Sequence, residues 1–134
     1  MAIWRPDPTF YPSPRMAMKA PVETLAYVAS FDPTRRVPDA ISVIDVDPGS
    51  PTYSQSVGTV PMPNTGDELH HFGWNACSSC LCPNAPHPHA ERRYLIVPGL
   101  RSSRIHILDT KDNPREPKIV RVLEPEEVAE QSGY

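Results

Sequence analysis

Two stretches of this chain, residues 39–51 (DAISVIDVDPGSP) and residues 103–117 (SRIHILDTKDNPREP), have the same construction. Each begins as an alternating aliphatic strand that closes on an aspartate, Asp45 or Asp109, and continues into a proline-rich turn. The two aspartates are 64 positions apart, and a strand after each turn ends at a proline with the same spacing. The chain therefore repeats a unit of short strands joined by rigid turns.

The segments around this repeat complete two groups of strands. Alternation of apolar and polar residues predicts three strands in each half: Glu23–Phe31, Asp39–Asp47, Tyr53–Val60, Arg93–Pro98, Arg104–Thr110 and Lys118–Glu124. The third of them is polar enough to be an outer or edge strand, and residues 124–131 can start a helical turn. A repeat of this size is typical of β-propeller blades. Two unrelated meanders of a sandwich or barrel are the alternative, and both readings make the chain all-β.

The composition excludes several other classes of protein. Eighteen of the 134 residues are proline, which rules out a helical bundle or a coiled coil. A hydrophobic fraction of 39% with a net charge of −3 does not match an unfolded chain, and it offers no broad basic face for nucleic acid. The absence of a long apolar run argues against a membrane span, and the absence of an apolar leader predicts a cytoplasmic location.

The domain organisation follows from the position of the prolines and from the length. Residues 1–22 are interrupted by five prolines and are expected to form an arm, while residues 23–134 are expected to form the first blades of a propeller. Propellers close with at least four blades, and this length supplies about two. We therefore expect the remaining blades to come from a longer chain or from self-association, because open blades leave strand edges unpaired.

The chemistry is concentrated between Pro61 and His89. Four of the five histidines and all three cysteines lie there. His70 and His71 are adjacent imidazoles, a side chain that suits Cu, Zn, Fe and Ni, and Asp67 or Glu68 could fix their tautomer. A hydrogen-bonded pair of loop histidines without metal is the alternative.

The cysteines and the remaining histidines leave several readings open. Cys77 and Cys80 form a CxxC that could bind zinc or Cu(I) or work as a redox dithiol, and the alternative is ordinary buried thiols. His87 and His89 lie in a proline-rich loop, where solvated surface histidines are the plainer reading. His106 lies inside an aliphatic strand and is expected to be a packed, satisfied residue.

Longer segments carry a family resemblance. The chain resembles the selenium-binding protein 56 family, whose members include methanethiol oxidases, over PDPTFYPSPRMAM (6–18), IDVDPGSPTYSQ (44–55), PMPNTGDELHHFGWNACSSC (61–80), RRYLIVPGLRSSRIHILDT (92–110) and EPEEVAEQSGY (124–134). The resemblance implies a seven-bladed β-propeller in a chain about three times longer. It also implies oxidation of methanethiol by O2 and water to formaldehyde, hydrogen sulfide and hydrogen peroxide, with copper as the cofactor.

The resemblance also implies roles for individual residues. His70 and His71 match the family's HH and are the expected copper ligands, and His87 and His89 match a motif common to its bacterial branch. Cys77 and Cys80 match its CSSC, a redox or soft-metal pair. On chemical grounds, Glu68 or Asp67 could orient a ring nitrogen or accept a proton. Two departures stand out: Ser54 occupies the position of a cysteine thought to hold selenium in some members, and an expected HxxHC-type segment falls after Tyr134. A non-enzymatic propeller that binds selenium or a soft metal, or docks partners, is the alternative function.

Overall fold

The structure is a computed structural model that describes residues 15, 18, 19, 21–75 and 92–133. Over these residues the chain forms two antiparallel sheets and one short helix, α1 (Pro125–Ser132). The first sheet contains, in spatial order, β1 (Leu25–Ser30), β2 (Pro38–Asp45) and β3 (Ser56–Thr65). The second contains, in spatial order, β4 (Gly73–Trp74), β5 (Tyr94–Pro98), β6 (Ile105–Asp109) and β7 (Lys118–Leu123). The predicted all-β class is confirmed, whereas the propeller stays a prediction because two sheets do not close a ring.

One apolar core joins the two sheets. Alternating residues of each strand point inward, as the period of two requires. The buried members of this core, which come from both sheets and from the connection between them, are Ile41, Val60, Met62, Leu69, Leu95, Val97 and Leu108. Partly buried side chains, among them Tyr27 and Trp74, pack against it. The connection that carries Leu69 is therefore anchored in the core, which is what positions the candidate site.

The 64-residue repeat is visible in the backbone. The pairing of β2 with β3 shifts register between Val43 and Ile44, and the pairing of β6 with β7 shifts between Ile107 and Leu108, 64 positions later. The two sheets nevertheless bury opposite faces. In β2 the buried face includes Ile41 and Val43, whereas in β6 the residues 64 positions on, Ile105 and Ile107, are only half-buried. The two sheets therefore face their shared core with non-equivalent faces, since positions that are buried in the first sheet correspond to half-buried positions in the second.

Most predicted strands lie where the sequence places them, but the third does not. It was predicted over Tyr53–Val60, and β3 instead runs from Ser56 to Thr65. The start is delayed because residues 51–54 form a turn, in which the Thr52 hydroxyl donates to the carboxylate of Asp45. The strand continues through Pro61 and Pro63 because it lies at a sheet edge, where a missing N–H is tolerated. The prediction of an edge strand is confirmed.

The helix begins within residues 124–131, where the sequence predicts the start of a helical turn, and it runs from Pro125 to Ser132. Pro125 stands in its first turn together with Glu126 and Glu127, which are favourable near the positive end of the helix dipole. Gly133 closes the helix in the left-handed region with a φ of 77°, and its N–H donates to the carbonyl of Ala129. Among the described residues no helix is long and apolar enough to cross a membrane. The predicted arm over residues 1–22 lies almost entirely outside the described residues.

Candidate functional site

The connection between β3 and β4, residues 66–72, carries the adjacent histidines. The hairpin between β5 and β6 holds it from one side, since the N–H groups of Leu100 and Arg101 donate to the carbonyls of Glu68 and Asp67 at 3.0 and 3.1 Å. From the other side, Oδ2 of Asp39 accepts the N–H of Leu69 at 3.0 Å. This clamped backbone segment, residues 66–72, is called the histidine loop below.

Glu68 and His70 form the polar group at the tip of the histidine loop. Nε2 of His70 lies 3.3 Å from Oε1 of Glu68, and the other oxygen of Glu68 pairs with Arg101. Glu68 has a φ of 61°, in the left-handed region that a residue with a Cβ adopts at a cost, and such strain is common at functional sites. A proton on Nε2 of His70 donated to this carboxylate leaves Nδ1 as a free lone pair, the arrangement that orients a metal-binding imidazole.

The side chains of His70 and His71 are both exposed. Their ring centroids are 6.0 Å apart, and the His70 ring also lies 5.4 Å from that of Phe31. The structure thus brings two predicted metal-ligating residues together with Glu68. The other predicted site residues, Cys77, Cys80, His87 and His89, lie outside the described residues. Within the described ranges, no group of three or more His, Cys, Asp or Glu side chains is arranged to hold a metal ion.

A buried charged cluster lies beneath the histidine loop. Oδ1 of Asp67 accepts from Arg104 at 3.1 Å, and Arg104 also donates to Glu124 at 2.8 Å. The bonds to Glu124 and then to Asp67 raise the pKa of Arg104. Asp67 and His106 are both fully buried, with Nε2 of His106 3.6 Å from Oδ2 of Asp67. We call Arg104, Asp67 and His106 the buried cluster, and the half-exposed Glu124 lies at its edge.

His106 is packed, as predicted, but it is not satisfied. Its Nδ1 lies 3.1 Å from the carbonyl of Val97. Its Nε2 and Oδ2 of Asp67 are buried atoms that have no hydrogen-bond partner among the described residues. The sequence does not predict these unpaired atoms, because Asp67 comes from a connection far from His106 in the chain. The contacts of Arg101 and Arg104 with this connection are not predictable from the sequence for the same reason. The only signal in the sequence is the complementary charge of DE at 67–68 and RSSR at 101–104.

An aromatic cleft of about 570 Å³ lies beside β4. Its walls include Tyr27, Phe72 and Trp74, and Trp74 also packs against the apolar core. The Tyr27 and Trp74 rings meet edge to face with centroids 5.9 Å apart, and the guanidinium of Arg92 lies 5.2 Å from the centre of the Trp74 ring. Burial, and then the charge of Glu23, raise the pKa of Tyr27.

Known proteins match nearly the whole chain. Residues 4–134 match the family model described as 56kDa selenium binding protein. The chain is 48% identical over 125 residues to selenium-binding protein 2 of Arabidopsis thaliana, and 45% and 42% identical over 120 residues to methanethiol oxidases of Bos taurus and Homo sapiens. These alignments cover 92%, 88% and 88% of the chain and 25% of each relative. The chain thus spans about a quarter of the length of the curated relatives it matches.

A solved structure matches as well. It is the X-ray structure of a hypothetical selenium-binding protein from Sulfolobus tokodaii, which is 65% identical and superposes with a TM-score of 0.84. The match covers 92% of this chain and 28% of that one. The strand arrangement described above is therefore also that of an experimentally determined relative.

Proposed function

Because this chain belongs to the 56 kDa selenium-binding protein family, as its motifs predict, we propose that it forms part of a cytoplasmic methanethiol oxidase. The reaction would convert methanethiol, O2 and water to formaldehyde, hydrogen sulfide and hydrogen peroxide. The observation that carries the proposal is the identity of 42–45% to relatives named methanethiol oxidase over nearly all of this chain. Membership of the chain in a family that includes methanethiol oxidases does not depend on this proposal.

The histidine loop fits the copper that such an activity would require. His70 and His71 present two exposed imidazoles on a clamped backbone, and imidazole is a common ligand of copper. The described residues supply two donors, so further ligands would have to come from elsewhere, with His87, His89 and the cysteines as the candidates. When bound, copper would supply redox chemistry and favour the thiolate form of a coordinated thiol.

The surrounding residues then have definite tasks. The Glu68 carboxylate, 3.3 Å from Nε2 of His70, would accept the proton of that nitrogen and leave the lone pair of Nδ1 for a metal. Arg101 holds the second carboxylate oxygen, which limits the rotation of Glu68. A carboxylate fixed next to a thiol-binding site can also accept the thiol proton, so Glu68 is our candidate base. Cys77 and Cys80 are the candidates for relaying electrons or receiving sulfur.

Replacing both histidines tests this proposal. In the full-length polypeptide that contains this sequence, His70→Ala together with His71→Ala should lower copper content and reduce peroxide formation from methanethiol by about 100-fold or more. Leu100→Ala is the matched control, because Leu100 borders the same loop with an exposed side chain and uses only its backbone N–H to hold it. Full copper content and full rate in the double variant would exclude these ligands.

The alternative function has a different signature. A scaffold that binds selenium or a soft metal, as the names of the Arabidopsis relatives suggest for those proteins, would form no peroxide at any copper loading. In that case Cys77→Ser or Cys80→Ser would abolish uptake of selenite or Cu(I). Peroxide formation that depends on copper and survives both serine substitutions would instead support the oxidase and remove the cysteines from its mechanism.

A further inference from the structure

The buried cluster contains a contact that is unfavourable if His106 is neutral. Nδ1 of His106 lies 3.1 Å from the carbonyl of Val97, and a carbonyl only accepts, so Nδ1 must carry a proton. In a neutral imidazole Nε2 would then hold a lone pair. That lone pair would lie 3.6 Å from Oδ2 of Asp67, with both atoms fully buried. Two acceptors facing each other away from water are a costly arrangement.

The charges around His106 favour a second proton. The guanidinium of Arg104 pairs with the carboxylates of both Asp67 and Glu124, so these three groups together carry one net negative charge, part of which, on the half-exposed Glu124, is screened by solvent. A protonated His106 would balance that charge. The β2 strand brings another carboxylate to the same loop, that of Asp39, which accepts N–H groups of Asp32 and Leu69. On the far side of the loop, Glu68 is paired with Arg101.

We propose that His106 is a positioning residue for the histidine loop: it carries protons on both ring nitrogens and pairs through Nε2–H with Oδ2 of Asp67. Asp67 is then held at both oxygens, by His106 and by Arg104. Its carbonyl is held as well, by the N–H of Arg101. Fixing Asp67 in this way fixes the start of the loop and therefore the conformation in which Glu68 meets His70.

Asp67 thus connects β6, which carries His106, to the exposed histidines of the loop. A gap of 3.6 Å is too long for a hydrogen bond and too short for a water molecule in line between the two atoms, so a shift of about half an ångström would close it. Without the second proton, the carboxylate of Asp67 would keep only Arg104, and the loop would lose one of its anchors. The proposal takes from the proposed function only that His70 and His71 are the metal-binding side chains.

Nitrogen NMR of the imidazole rings tests the proton directly. The full-length polypeptide is labelled with ¹⁵N-histidine, and the His106 signals are identified as those missing from His106→Gln. At about pH 7.5, both ring nitrogens of His106 should show a bonded proton, whereas a neutral imidazole would show only one. An unprotonated Nε2 at this pH would overturn the proposal, and the wild-type spectrum alone decides it. Asp67→Asn should remove that proton, and its persistence there would remove Asp67 as the partner.

A second set of variants separates positioning from general stability. His106→Phe keeps an aromatic ring but cannot donate, so His70 should lose its preference for the Nε2–H tautomer and Cu(II) should bind about tenfold more weakly. His106→Gln can donate to Asp67 and should restore part of both. Leu108→Ala is the matched control, because it opens the core on the same face of β6 without touching a charge. If it moves the His70 signals as much as His106→Phe does, His106 has only a structural role.

These readouts keep the two proposals distinguishable. If the loop histidines do not bind copper, the Cu(II) affinity will be unchanged in all of these variants and in His70→Ala with His71→Ala. The protonation of His106 and the tautomer of His70 would still be measured without metal. A neutral His106 in a protein whose loop binds copper would instead remove the positioning role and leave the proposed function standing.

Discussion

The strand ends at Asp45 and Asp109 occupy equivalent places in the two sheets and hold the same side chain differently. In both, one carboxylate oxygen accepts the N–H two residues later, that of Asp47 or Lys111, at 3.0 Å. This shared turn is what the 64-residue repeat encodes. Outside it, Asp45 is fully buried, whereas the Asp109 side chain keeps 13% of its surface exposed.

The remaining partners separate the two sites. Hydroxyl groups of Ser50 and Thr52 donate to Asp45 at 2.6 Å each, and these bonds, before any charge, hold the pKa of Asp45 well below its usual range. Asp109 instead accepts from the guanidinium of Arg93, which lowers the pKa of Asp109 to about 2. The first site therefore relies mainly on neutral donors from its own turn, and the second relies on an ion pair with Arg93.

The difference arises because the second unit covers the first. The turn after β6 reaches across to the first sheet, where the guanidinium of Arg115 lies 3.4 Å from Oδ2 of Asp45 and Tyr27 donates to the carbonyl of Pro114 at 2.8 Å. Space is tight there, since a Cβ on Gly58 would lie 1.9 Å from the carbonyl oxygen of Arg115. The turn after Asp109 thus packs on the Asp45 site, whereas among the described residues no third sheet packs on the Asp109 site.

The largest expected effect comes from breaking that interface at Gly58. Gly58→Ala forces backbone apart rather than a flexible side chain, so we expect a loss of about 3 kcal/mol in the free energy of unfolding. Gly49→Ala is the control, because its Cβ would meet only Asp47 at 3.4 Å and should change stability by less than about 0.5 kcal/mol. Urea unfolding of the full-length polypeptide measures both, and equal stability of the two variants would contradict the contact.

Removing one charge at each aspartate gives the next largest effect and tests the comparison itself. Asp45→Asn places an amide NH2 next to groups that all donate, and at this fully buried position water cannot supply the missing acceptor. It should therefore lower the unfolding midpoint more than Asp109→Asn does. Asp109→Asn leaves Arg93 partly exposed and able to bind water. Thermal unfolding followed by circular dichroism compares the two, and a larger loss at Asp109 would reverse the assignment of the interface.

The smallest effect is in the dependence on pH and salt. Both folded pKa values lie below the unfolded value of about 3.9, so each carboxylate contributes stability that is complete above that value and is lost as the pH falls. For Asp109 the loss should occur between about pH 4 and pH 2. Raising the salt to about 1 M should weaken the Asp109 contribution by screening and leave that of Asp45 nearly unchanged. Equal salt sensitivity in the stabilities of Asp45→Asn and Asp109→Asn would contradict this distinction.

Local patterning explains why much of the fold is predictable. A period of two requires only that one face of a strand be apolar, and this is why β2 and β6 lie close to where alternation predicts them. Alternation cannot predict β4, because a strand of two residues shows no period. It also misplaces the start of β3, because the Thr52 hydroxyl donates to the carboxylate of Asp45 and holds residues 51–54 in a turn. The candidate site divides in the same way. His70 and Glu68 are neighbours in sequence, whereas Asp67 and Arg104 are 37 positions apart.

The sequence by itself determined the all-β class, the repeat and the family, because these depend on residue types and spacings along the chain. It also placed the adjacent histidines next to acidic residues. Only the tertiary structure decided that Glu68 turns back onto His70 and that Arg115 reaches Asp45. It also decided that Nε2 of His106 and Oδ2 of Asp67 meet in the interior with no hydrogen-bond partner among the described residues. Such contacts depend on how two sheets stack, and the energy of burying a charge depends on groups that a linear pattern does not bring together.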